Sequence, residues 1–399
     1  MSNTVKKGGV ILAIGAIATL LVQQASFIVL PAMNSLSEYY TDVPYSQILL
    51  ITTLVYLGIV PFSIISGAIA GNRIGYKKLG IIATAIVMVG GIIPYFTRDN
   101  FTLILASRIF CGIGQGLAFP LCNALILRLF KGEERSRYLG VSVVVLNLSG
   151  VFYQTVSGWV CDINVHVIWL VHLVLIVPIL MMIFMLKEPE DASDETAAAQ
   201  TEVSDKPHFS MRVIAICAGF FFWFIAMYTV SLNMSSIIAY NGIGTAATAG
   251  LAGSANSIAG VAAGAVYAFL FRHLRKYMLP VGLISSIIGL GLCGYASNVP
   301  MVMISQFCVG FATFTISTVC ARDFDACVAP SGVALANGIF AAVWNFSAFL
   351  STYFIAAVNR FSGSENPATS VRFGMWFAIA VAVVWTIIRM MRPKKYEPR

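Results

Sequence analysis

Charged residues are scarce in this sequence. Asp, Glu, Lys and Arg together make up 11% of its 399 residues, whereas hydrophobic residues make up 58%. Ordinary soluble domains carry roughly 25% charged residues. Water therefore cannot be the main solvent of the folded chain, and most of its residues are expected to lie in a lipid bilayer.

Acidic residues are missing from the long apolar segments. The 17 Asp and Glu residues of the chain all fall in predicted loops or at predicted helix ends. Carriers that are driven by protons commonly use a buried carboxylate whose pKa is raised by desolvation. We therefore expect facilitated diffusion, exchange, or coupling that is carried by the substrate. His172 could also titrate, but a packing role is favoured for it.

Motifs for catalysis and for nucleotide binding are missing as well. The apolar segments contain no acidic pair, no His-x-x-x-His and no Gly-x-Ser-x-Gly, so neither a nucleophile with its base nor a metal site is evident. The phosphate-binding loop Gly-x-x-x-x-Gly-Lys is also absent. Eight cysteines are scattered singly, without the spacing of a disulfide framework. The sequence predicts that the protein is not an enzyme and has no cofactor and no metal.

What the sequence does contain is a series of long apolar runs. A helix needs about 20 mostly apolar residues to cross a bilayer, and lipid does not tolerate unpaired backbone groups. The runs predict an all-α polytopic membrane protein with twelve transmembrane helices. Their approximate positions are 8–33, 46–70, 79–96, 101–127, 138–160, 167–186, 212–240, 247–271, 279–297, 301–321, 332–357 and 372–391.

Lys and Arg are concentrated in alternate loops, the pattern that keeps short loops in the cytoplasm. With both termini inside, only Arg98, Arg360 and Arg372 fall outside, and Arg108 lies within the membrane. We predict a multi-pass protein of the cell (inner) membrane with cytoplasmic termini. The first apolar run is long enough to span and lacks a small-residue cleavage site, so it is not a signal peptide. The net charge of +8 is expected to face anionic headgroups rather than nucleic acid.

The two halves of the chain resemble each other at a nearly constant offset. Arg73 and Lys77 recur as Arg272 and Lys276, one position later than the rest of the repeat, which implies a single-residue insertion. Internal repeats of membrane segments are typical of secondary transporters. The residues that recur at the common offset of 198 are Asn100, Ser107, Gly112, Gly140, Asn147 and Ser149, which match Asn298, Ser305, Gly310, Gly338, Asn345 and Ser347.

An acidic, polar segment separates the halves. Its Glu and Asp residues lie among Ala, Ser, Thr and Pro, a composition that is typical of a flexible connector. We predict a six-helix bundle over 1–186, an acidic cytoplasmic linker over 187–211 and a second six-helix bundle over 212–399. The repeat makes the two bundles pseudo-symmetric, an arrangement suited to rocking about a central site.

This layout resembles the major facilitator superfamily over essentially the whole chain. In that family the loop after the second helix usually reads Gly-x-Leu-Ala-Asp-Arg-x-Gly-Arg-Lys. Arg73, Gly75 and Lys77 match it, and Asn72 replaces the acid. The resemblance implies that these four residues form a cytoplasmic gating latch, which here would rely on neutral hydrogen bonds. The alternative is that the basic residues merely anchor the loop.

The first half is further similar to the drug:proton antiporter branch of that family. The branch's fourth-helix motif is matched by Arg108, Gly112, Gly114 and Pro120. The Gly-Pro and Gly-Gly pairs of its fifth helix are replaced by Tyr153-Gln154 and Ser157-Gly158. Without that motif, drug export by antiport is one option among several.

Arg108 is the charged residue that we place deep within a predicted span. A charge near the centre of a membrane helix costs about 2.5 to 3.5 kcal/mol, so it is a functional candidate by default. Its planar guanidinium could hold a carboxylate or another anion beside a water-filled cavity. Alternatively, it bonds helix ends and carbonyls and thereby fixes the bundle. The repeat makes Gln306 its counterpart.

Polar side chains at helical spacing identify a candidate substrate cavity. Arg108 and Gln115 are seven residues apart, which places them on one stripe of the fourth helix. Each amide could instead bond a neighbouring helix, but the clustering of the amides favours a cavity. The predicted substrate-binding residues are Arg108, Gln24, Tyr56, Gln115, Asn147, Gln154, Tyr228, Asn256, Gln306, Trp344 and Asn345.

Together these features predict a secondary active or facilitative transporter that moves a small organic solute by alternating access. An organic anion is preferred as the solute because of Arg108. Efflux of neutral or lipophilic compounds by multidrug-type antiport is the alternative. The expected partners are the small-molecule substrate and the lipid bilayer, and the protein is expected to be monomeric.

Overall fold

The computed structural model describes residues 3–189, 211–327 and 333–390, and these residues are mainly α-helical. The α-helices are α1 (Asn3–Ala18), α2 (Met33–Tyr39), α3 (Tyr45–Ile69), α4 (Tyr76–Phe96), α5 (Phe101–Ala118), α6 (Leu121–Leu129), α7 (Gly132–Ile163), α8 (Ile176–Met185), α9 (Met211–Tyr240), α10 (Ala246–Leu274), α11 (Met278–Gly294), α12 (Val299–Cys327), α13 (Val333–Ser362) and α14 (Ala368–Met390). Short 3-10 helices cover Ala25–Ile28, Leu30–Ala32, Val165–Leu175 and Arg275–Tyr277.

The predicted fold class is confirmed. Ten helical segments of the described residues are long and apolar enough to cross a membrane. Two shorter apolar helices, Gly9–Ala18 and Met278–Gly294, occupy the first and ninth predicted spans. Within the described ranges no strand occurs, and the pairing of Ala70 with Ile74 is an isolated bridge. The described residues therefore form an all-α membrane protein, with an apolar helix at each of the twelve predicted spans.

The first predicted span is wrong in one respect, because it is not a continuous helix. α1 ends at Ala18, and turns and two 3-10 helices follow before α2 begins. The backbone bonds in this interval join residues three apart, as in the bond from Leu20 N to Ile17 O at 2.9 Å. Pro31 contributes to the break, because it has no N–H with which to continue an α-helical ladder.

Two other predicted spans also change helix type along their length. The fourth span is interrupted after α5 by Pro120, and α6 continues it to Leu129. The sixth span begins as the 3-10 helix Val165–Leu175 and continues as α8. Asn164 caps this start, since its Oδ1 accepts a bond from His166 N at 2.9 Å.

The chain forms two compact units. Unit 1 contains residues 1–192 together with 249–254, and unit 2 contains 193–248 and 255–399. The predicted linker, 187–211, lies outside the described residues except at its two ends. The short stretch of α10 that groups with unit 1 was not foreseen from the sequence.

Both units contain the same close contacts, as a duplication requires. Asn100 Oδ1 accepts a bond from Leu103 N at 3.1 Å at the start of α5, and Asn298 Oδ1 accepts one from Met301 N at 3.0 Å in α12. The close packing of neighbouring helices is matched as well. A Cβ on Gly112 would overlap the carbonyl oxygen of Val55, and a Cβ on Gly310 would overlap that of Asn256.

The position of the implied insertion also follows from paired contacts. A Cβ on Gly90 would lie 3.2 Å from the Ser107 carbonyl oxygen, and one on Gly289 would lie 3.0 Å from that of Ser305. Gly90 and Gly289 are related by the longer offset, whereas Ser107 and Ser305 are related by the shorter one. The offset between the two halves therefore changes from the longer to the shorter value between Gly90 of α4 and Ser107 of α5.

Candidate functional site

Arg108 is enclosed within unit 1. Its side chain is 1% exposed. The guanidinium Nη2 donates to the carbonyl oxygen of Gly90 at 2.8 Å, and Cζ lies 5.0 Å from the centre of the Trp169 ring. These partners belong to α4 and to the 3-10 helix Val165–Leu175, so Arg108 is directed at the third and sixth spans.

The carbonyl that Arg108 contacts is one that α4 cannot satisfy by itself. In an α-helix, the carbonyl of Gly90 would accept a bond from the N–H of residue 94. Residue 94 is proline, which lies inside α4 and has no N–H. Lipid offers no replacement donor at this depth. Arg108 supplies the missing donor, and this favours the bundle-fixing role over the anion-binding role, which stays a prediction.

His172 completes the surroundings of Arg108. Its ring is 1% exposed, and Nδ1 lies 3.1 Å from the Trp169 carbonyl oxygen. The ring occupies the space where a Cβ of residue 91 would lie, and that residue is glycine. This close fit agrees with the packing role expected for His172. Among the described residues, no carboxylate contacts Arg108.

The other predicted site residues of unit 1 are placed separately. Gln115 is 2% exposed and accepts a bond from Ser26 Oγ at 3.0 Å, which joins α5 to the first span. Asn147 and Gln154 donate to carbonyls one turn earlier on their own helix, α7. Gln24 and Tyr56 are half-buried. None of these side chains is among the described partners of Arg108, so their shared role in one site stays a prediction.

Unit 2 does bring two predicted site residues together. Gln306 is 1% exposed, and its Oε1 accepts a bond from Asn256 Nδ2 at 3.2 Å. Its Nε2 donates to Met234 Sδ at 2.9 Å. Gln306 therefore links α12 to α9 and α10, the seventh and eighth spans. Arg108 instead contacts the third and sixth spans of its own unit.

The structural equivalent of the Arg108 contact is made by Ser305. Its Oγ donates to the carbonyl oxygen of Gly289 at 2.6 Å. Gly289 corresponds to Gly90 in the repeat, so the same carbonyl position accepts a side-chain bond in each unit. Gln306 is thus the counterpart of Arg108 in sequence, but not in the carbonyl that it contacts.

Aromatic rings form a second cluster in unit 2, and only two of its members, Tyr228 and Trp344, were predicted from the sequence. Tyr228 stacks on Phe224 with ring centres 5.5 Å apart, and Trp344 lies 5.3 Å from Phe224 and 5.2 Å from Phe220. Phe220, Phe224 and Tyr228 recur every four residues and so share one face of α9. That spacing could have revealed the missed phenylalanines. Asn345 lies next to Trp344 and donates to the Ala341 carbonyl at 2.7 Å.

The loop of the predicted gating residues follows α3. Asn72 Nδ2 lies 3.4 Å from the Ala68 carbonyl oxygen, within its own helix end. Lys77 Nζ donates to the carbonyl oxygen of Ile183 in α8 at 2.7 Å. Gly75 immediately precedes α4. The loop therefore contacts the end of the sixth span, whereas no hydrogen bond of the Arg73 side chain is found there.

The chain is similar in sequence to known membrane transporters. Residues 15–244 match the family model described as the Major Facilitator Superfamily. The multidrug transporter protein MdtP of Bacillus subtilis (strain 168) is 28% identical over 118 residues, which are 28% of this chain and 22% of the relative. The probable anion transporter 7 of Oryza sativa subsp. japonica is 30% identical over 110 residues, 27% of this chain and 24% of the relative. The matched segments thus span less than a third of each relative.

Solved structures share the fold over nearly the full length. A bacterial homolog of the human lysosomal transporter Spinster, in an inward-facing and occupied conformation, has a TM-score of 0.71 at 14% identity and covers 98% of each chain. The nucleoside transporter NupG has a TM-score of 0.74 at 13% identity, with 96% of this chain and 100% of that chain covered. The described spans share the fold of such transporters, and this points to a transporter rather than an enzyme. Since the family model matches more than half of the sequence, the chain belongs to the Major Facilitator Superfamily.

Proposed function

We propose that this protein moves a small organic solute by alternating access and recognises it through aromatic and amide side chains. The observation that carries this choice is the engagement of Arg108, which donates to the Gly90 carbonyl and is 1% exposed. A guanidinium that replaces the N–H missing from Pro94 cannot leave that carbonyl without cost. A neutral or lipophilic solute therefore fits the described residues better than an anion held by Arg108.

The aromatic cluster of unit 2 supports this choice. Phe220 and Phe224 are buried, and Trp344, which contacts both, is half-buried. Rings that support one another in this way hold the outermost ring in place at little entropic cost. Ligand pockets are lined mainly by such apolar and aromatic side chains, with a few polar groups for orientation. Trp344 is thus the contact that we assign to the apolar part of the solute.

Amide side chains supply the polar part of the proposed recognition. Asn147 and Asn345 each use their Nδ2 on a carbonyl of their own helix. An amide oxygen can accept two hydrogen bonds, so these residues can accept a bond from a hydroxyl or amine of the solute. Asn147 and Asn345 correspond in the repeat, which would give each half one such acceptor.

An organic anion is the second candidate. The observation in its favour is that no carboxylate among the described residues contacts Arg108, although a buried cation normally has a partner. The printed names of the relatives do not decide between the two, because one is a multidrug transporter and another a probable anion transporter.

The coupling mechanism that we propose needs no carboxylate within the membrane. Among the described residues, the buried side chains include two that can carry a positive charge, Arg108 and His172, but no Asp or Glu. We therefore propose facilitated diffusion, exchange or substrate-borne coupling. We also propose that the protein is a monomer of the inner membrane. Both termini lie in the cytoplasm in this proposal, because Lys and Arg are concentrated in the loops on that side.

A thermal-shift screen of the purified protein tests the solute class. A ligand that binds the native state but not the unfolded chain raises Tm, and the shift grows with the logarithm of one plus the ratio of ligand concentration to Kd. The panel contains carboxylates, sugars, amino acids, nucleosides and lipophilic drugs. We expect neutral or lipophilic compounds to stabilise the protein and Trp344→Ala to weaken their binding about tenfold or more. Trp376→Ala is the control, because Trp376 lies on α14 and is 64% exposed.

The two candidates give opposite results in this screen. If carboxylates alone raise Tm, and Arg108→Gln removes that shift while the variant stays folded, the solute is an anion and our first choice is wrong. If Trp344→Ala and Trp376→Ala weaken binding equally, the aromatic cluster does not contact the solute.

A further inference from the structure

We propose that Glu188 completes a latch between the third and sixth spans by supplying the carboxylate that the loop after α3 lacks. This inference concerns a positioning residue and does not depend on the proposed solute. The family pattern places an acid where this chain has Asn72. The structure places an acid from a position 112 residues after Tyr76 at the same loop.

The carboxylate of Glu188 caps the start of α4. Oε1 accepts a bond from the backbone N–H of Tyr76, and Oε2 accepts one from the N–H of Lys77 at 3.1 Å. The first N–H groups of a helix have no partner within it, and the helix dipole makes this end positive. The residue in the N-cap position is Gly75, which has no side chain to serve as a cap. Glu188 therefore does what a local Asp or Asn would do in an ordinary helix.

Lys77 makes the reciprocal contact. Its Nζ donates to the carbonyl oxygen of Ile183 at 2.7 Å, close to the end of α8 at Met185. Carbonyls at a helix end lack intrahelical partners, and a cation there interacts favourably with the dipole. An anion from the sixth span thus meets the start of α4, and a cation from α4 meets the end of α8.

Glycine at position 75 gives the carboxylate its place. A Cβ on Gly75 would lie 2.7 Å from Glu188 Cδ, a distance that would displace the carboxylate. A capping residue with a side chain at this N-cap would therefore compete with Glu188 for the same space. Gly75 was predicted as a gating residue from the family pattern, and its contact with Glu188 gives that prediction a physical reason.

The latch extends to the fourth span through Tyr76. Its ring is buried, and Arg128 Cζ of α6 lies 5.1 Å from the ring centre. Gly71 has a φ of 77° and approaches the same ring so closely that a Cβ would lie 3.0 Å from Tyr76 Cζ. Arg128 and Gly71 thus both contact the ring of Tyr76, whose N–H is bound by Glu188.

Asn72 itself takes no part in this arrangement, since its amide reaches only the Ala68 carbonyl oxygen. The carboxylate at this loop is therefore supplied by Glu188, just after the end of the sixth span, and not by the loop position that is acidic in the family pattern. The start of α4 and the end of the sixth span are therefore joined by hydrogen bonds in both directions, which makes Glu188 a positioning residue.

Hydrogen exchange followed by mass spectrometry tests this proposal on the full-length protein without any solute. We expect Glu188→Gln to increase exchange at the amides of Tyr76 and Lys77 about tenfold or more, because a neutral amide is a weaker acceptor. Exchange in the rest of α4 should not change. Glu190→Gln removes the same charge from the same segment and serves as the matched control. Unchanged protection in Glu188→Gln, or equal loss in both variants, overturns the proposal.

A double-mutant cycle gives a second readout in case Glu188→Gln folds poorly. Gly75→Ala should displace the carboxylate, so Gly75→Ala and Glu188→Ala should lower Tm by less together than the sum of their separate effects. Strict additivity of the two shifts would contradict the latch. Because neither measurement involves transport, a failure here leaves the proposed solute class unaffected, and a failed solute screen leaves the latch unaffected.

Discussion

The pairing of Arg108 with the helix break at Pro94 can be tested quantitatively. In Arg108→Met the carbonyl of Gly90 loses the donor that lies 2.8 Å away. An unsatisfied buried acceptor costs about 1 to 3 kcal/mol. Loss of the contact with the Trp169 ring costs about 2 kcal/mol in a site without water. Removing a charge from the membrane recovers about 2.5 to 3.5 kcal/mol. The net loss expected for Arg108→Met is therefore about −0.5 to 2.5 kcal/mol.

The decisive variant restores the backbone donor. Pro94→Ala gives residue 94 an N–H that can bond the Gly90 carbonyl, so Arg108→Met should be less harmful in this background. We expect a coupling free energy of about 1 to 3 kcal/mol between the two substitutions, which is the cost of the orphaned carbonyl. The free energy of unfolding of the four proteins in the cycle is measured by reversible denaturation in mixed micelles.

Arg108→Lys provides the matched charge control. It keeps the cation in the membrane but loses the planar group that lies over Trp169 and reaches the Gly90 carbonyl. We expect it to be more destabilising than Arg108→Met, although it is the more conservative change. The explanation is refuted if the effects of Arg108→Met and Pro94→Ala add to within about 0.5 kcal/mol, since distant or unconnected sites behave in this way.

Three further predictions follow from close contacts and from one loop residue. Gly91→Ala should lower the free energy of unfolding by about 1 to 3 kcal/mol, because its Cβ would overlap the His172 ring; a smaller residue at 172 should restore Tm, and failure to do so would contradict this packing. Gly310→Ala should separate α10 from α12 and lower Tm, whereas Gly338→Ala, with nothing within 4 Å of its Cβ, should not; equal Tm values would show that the contact is absent. The Tyr40 hydroxyl donates to a backbone carbonyl at 2.9 Å, and burial, followed by nearby negative charges, raises its pKa to about 12. Its stabilising contribution is therefore complete below pH 10 and is lost as the pH rises through 12; a pH titration of Tm should show this loss in the wild type and not in Tyr40→Phe.

The number and type of the spans could be predicted because each depends on local composition. Long apolar runs between charged loops leave only helices as solutions in lipid, and that reasoning needs no knowledge of packing. The break in the first span is harder to foresee. Pro31 signals an interruption, but the 3-10 geometry begins earlier, near Thr19. It depends on partners from elsewhere, such as the Tyr153 hydroxyl, which donates to the Leu21 carbonyl oxygen at 2.9 Å.

The candidate site was harder to predict from the sequence, because a polar side chain within a membrane span can either bind a solute or bond a neighbouring helix. The sequence identifies Arg108 as a charged residue within a span, and Pro94 implies a backbone carbonyl without its usual donor. It does not show which helices pack against each other, so the pairing of the two could not be predicted. Glu188 was assigned to the linker because the apolar pattern stops before it, and no local signal indicates its contact with Tyr76, 112 residues earlier. The rings of Phe220 and Phe224 show helical spacing, but they carry no polar group that would distinguish them from other apolar residues of a membrane helix.

The break in the first span also affects how far that segment reaches. The sixteen residues of α1 rise about 24 Å at 1.5 Å each. The 3-10 helices Ala25–Ile28 and Leu30–Ala32 rise about 2.0 Å per residue, so their seven residues gain about 3 to 4 Å over the same number in an α-helix. A switch between the two forms would shorten or lengthen the segment by that amount without breaking a covalent bond. The first span therefore reaches further than a continuous α-helix of the same residues would, by a length equal to about two α-helical residues.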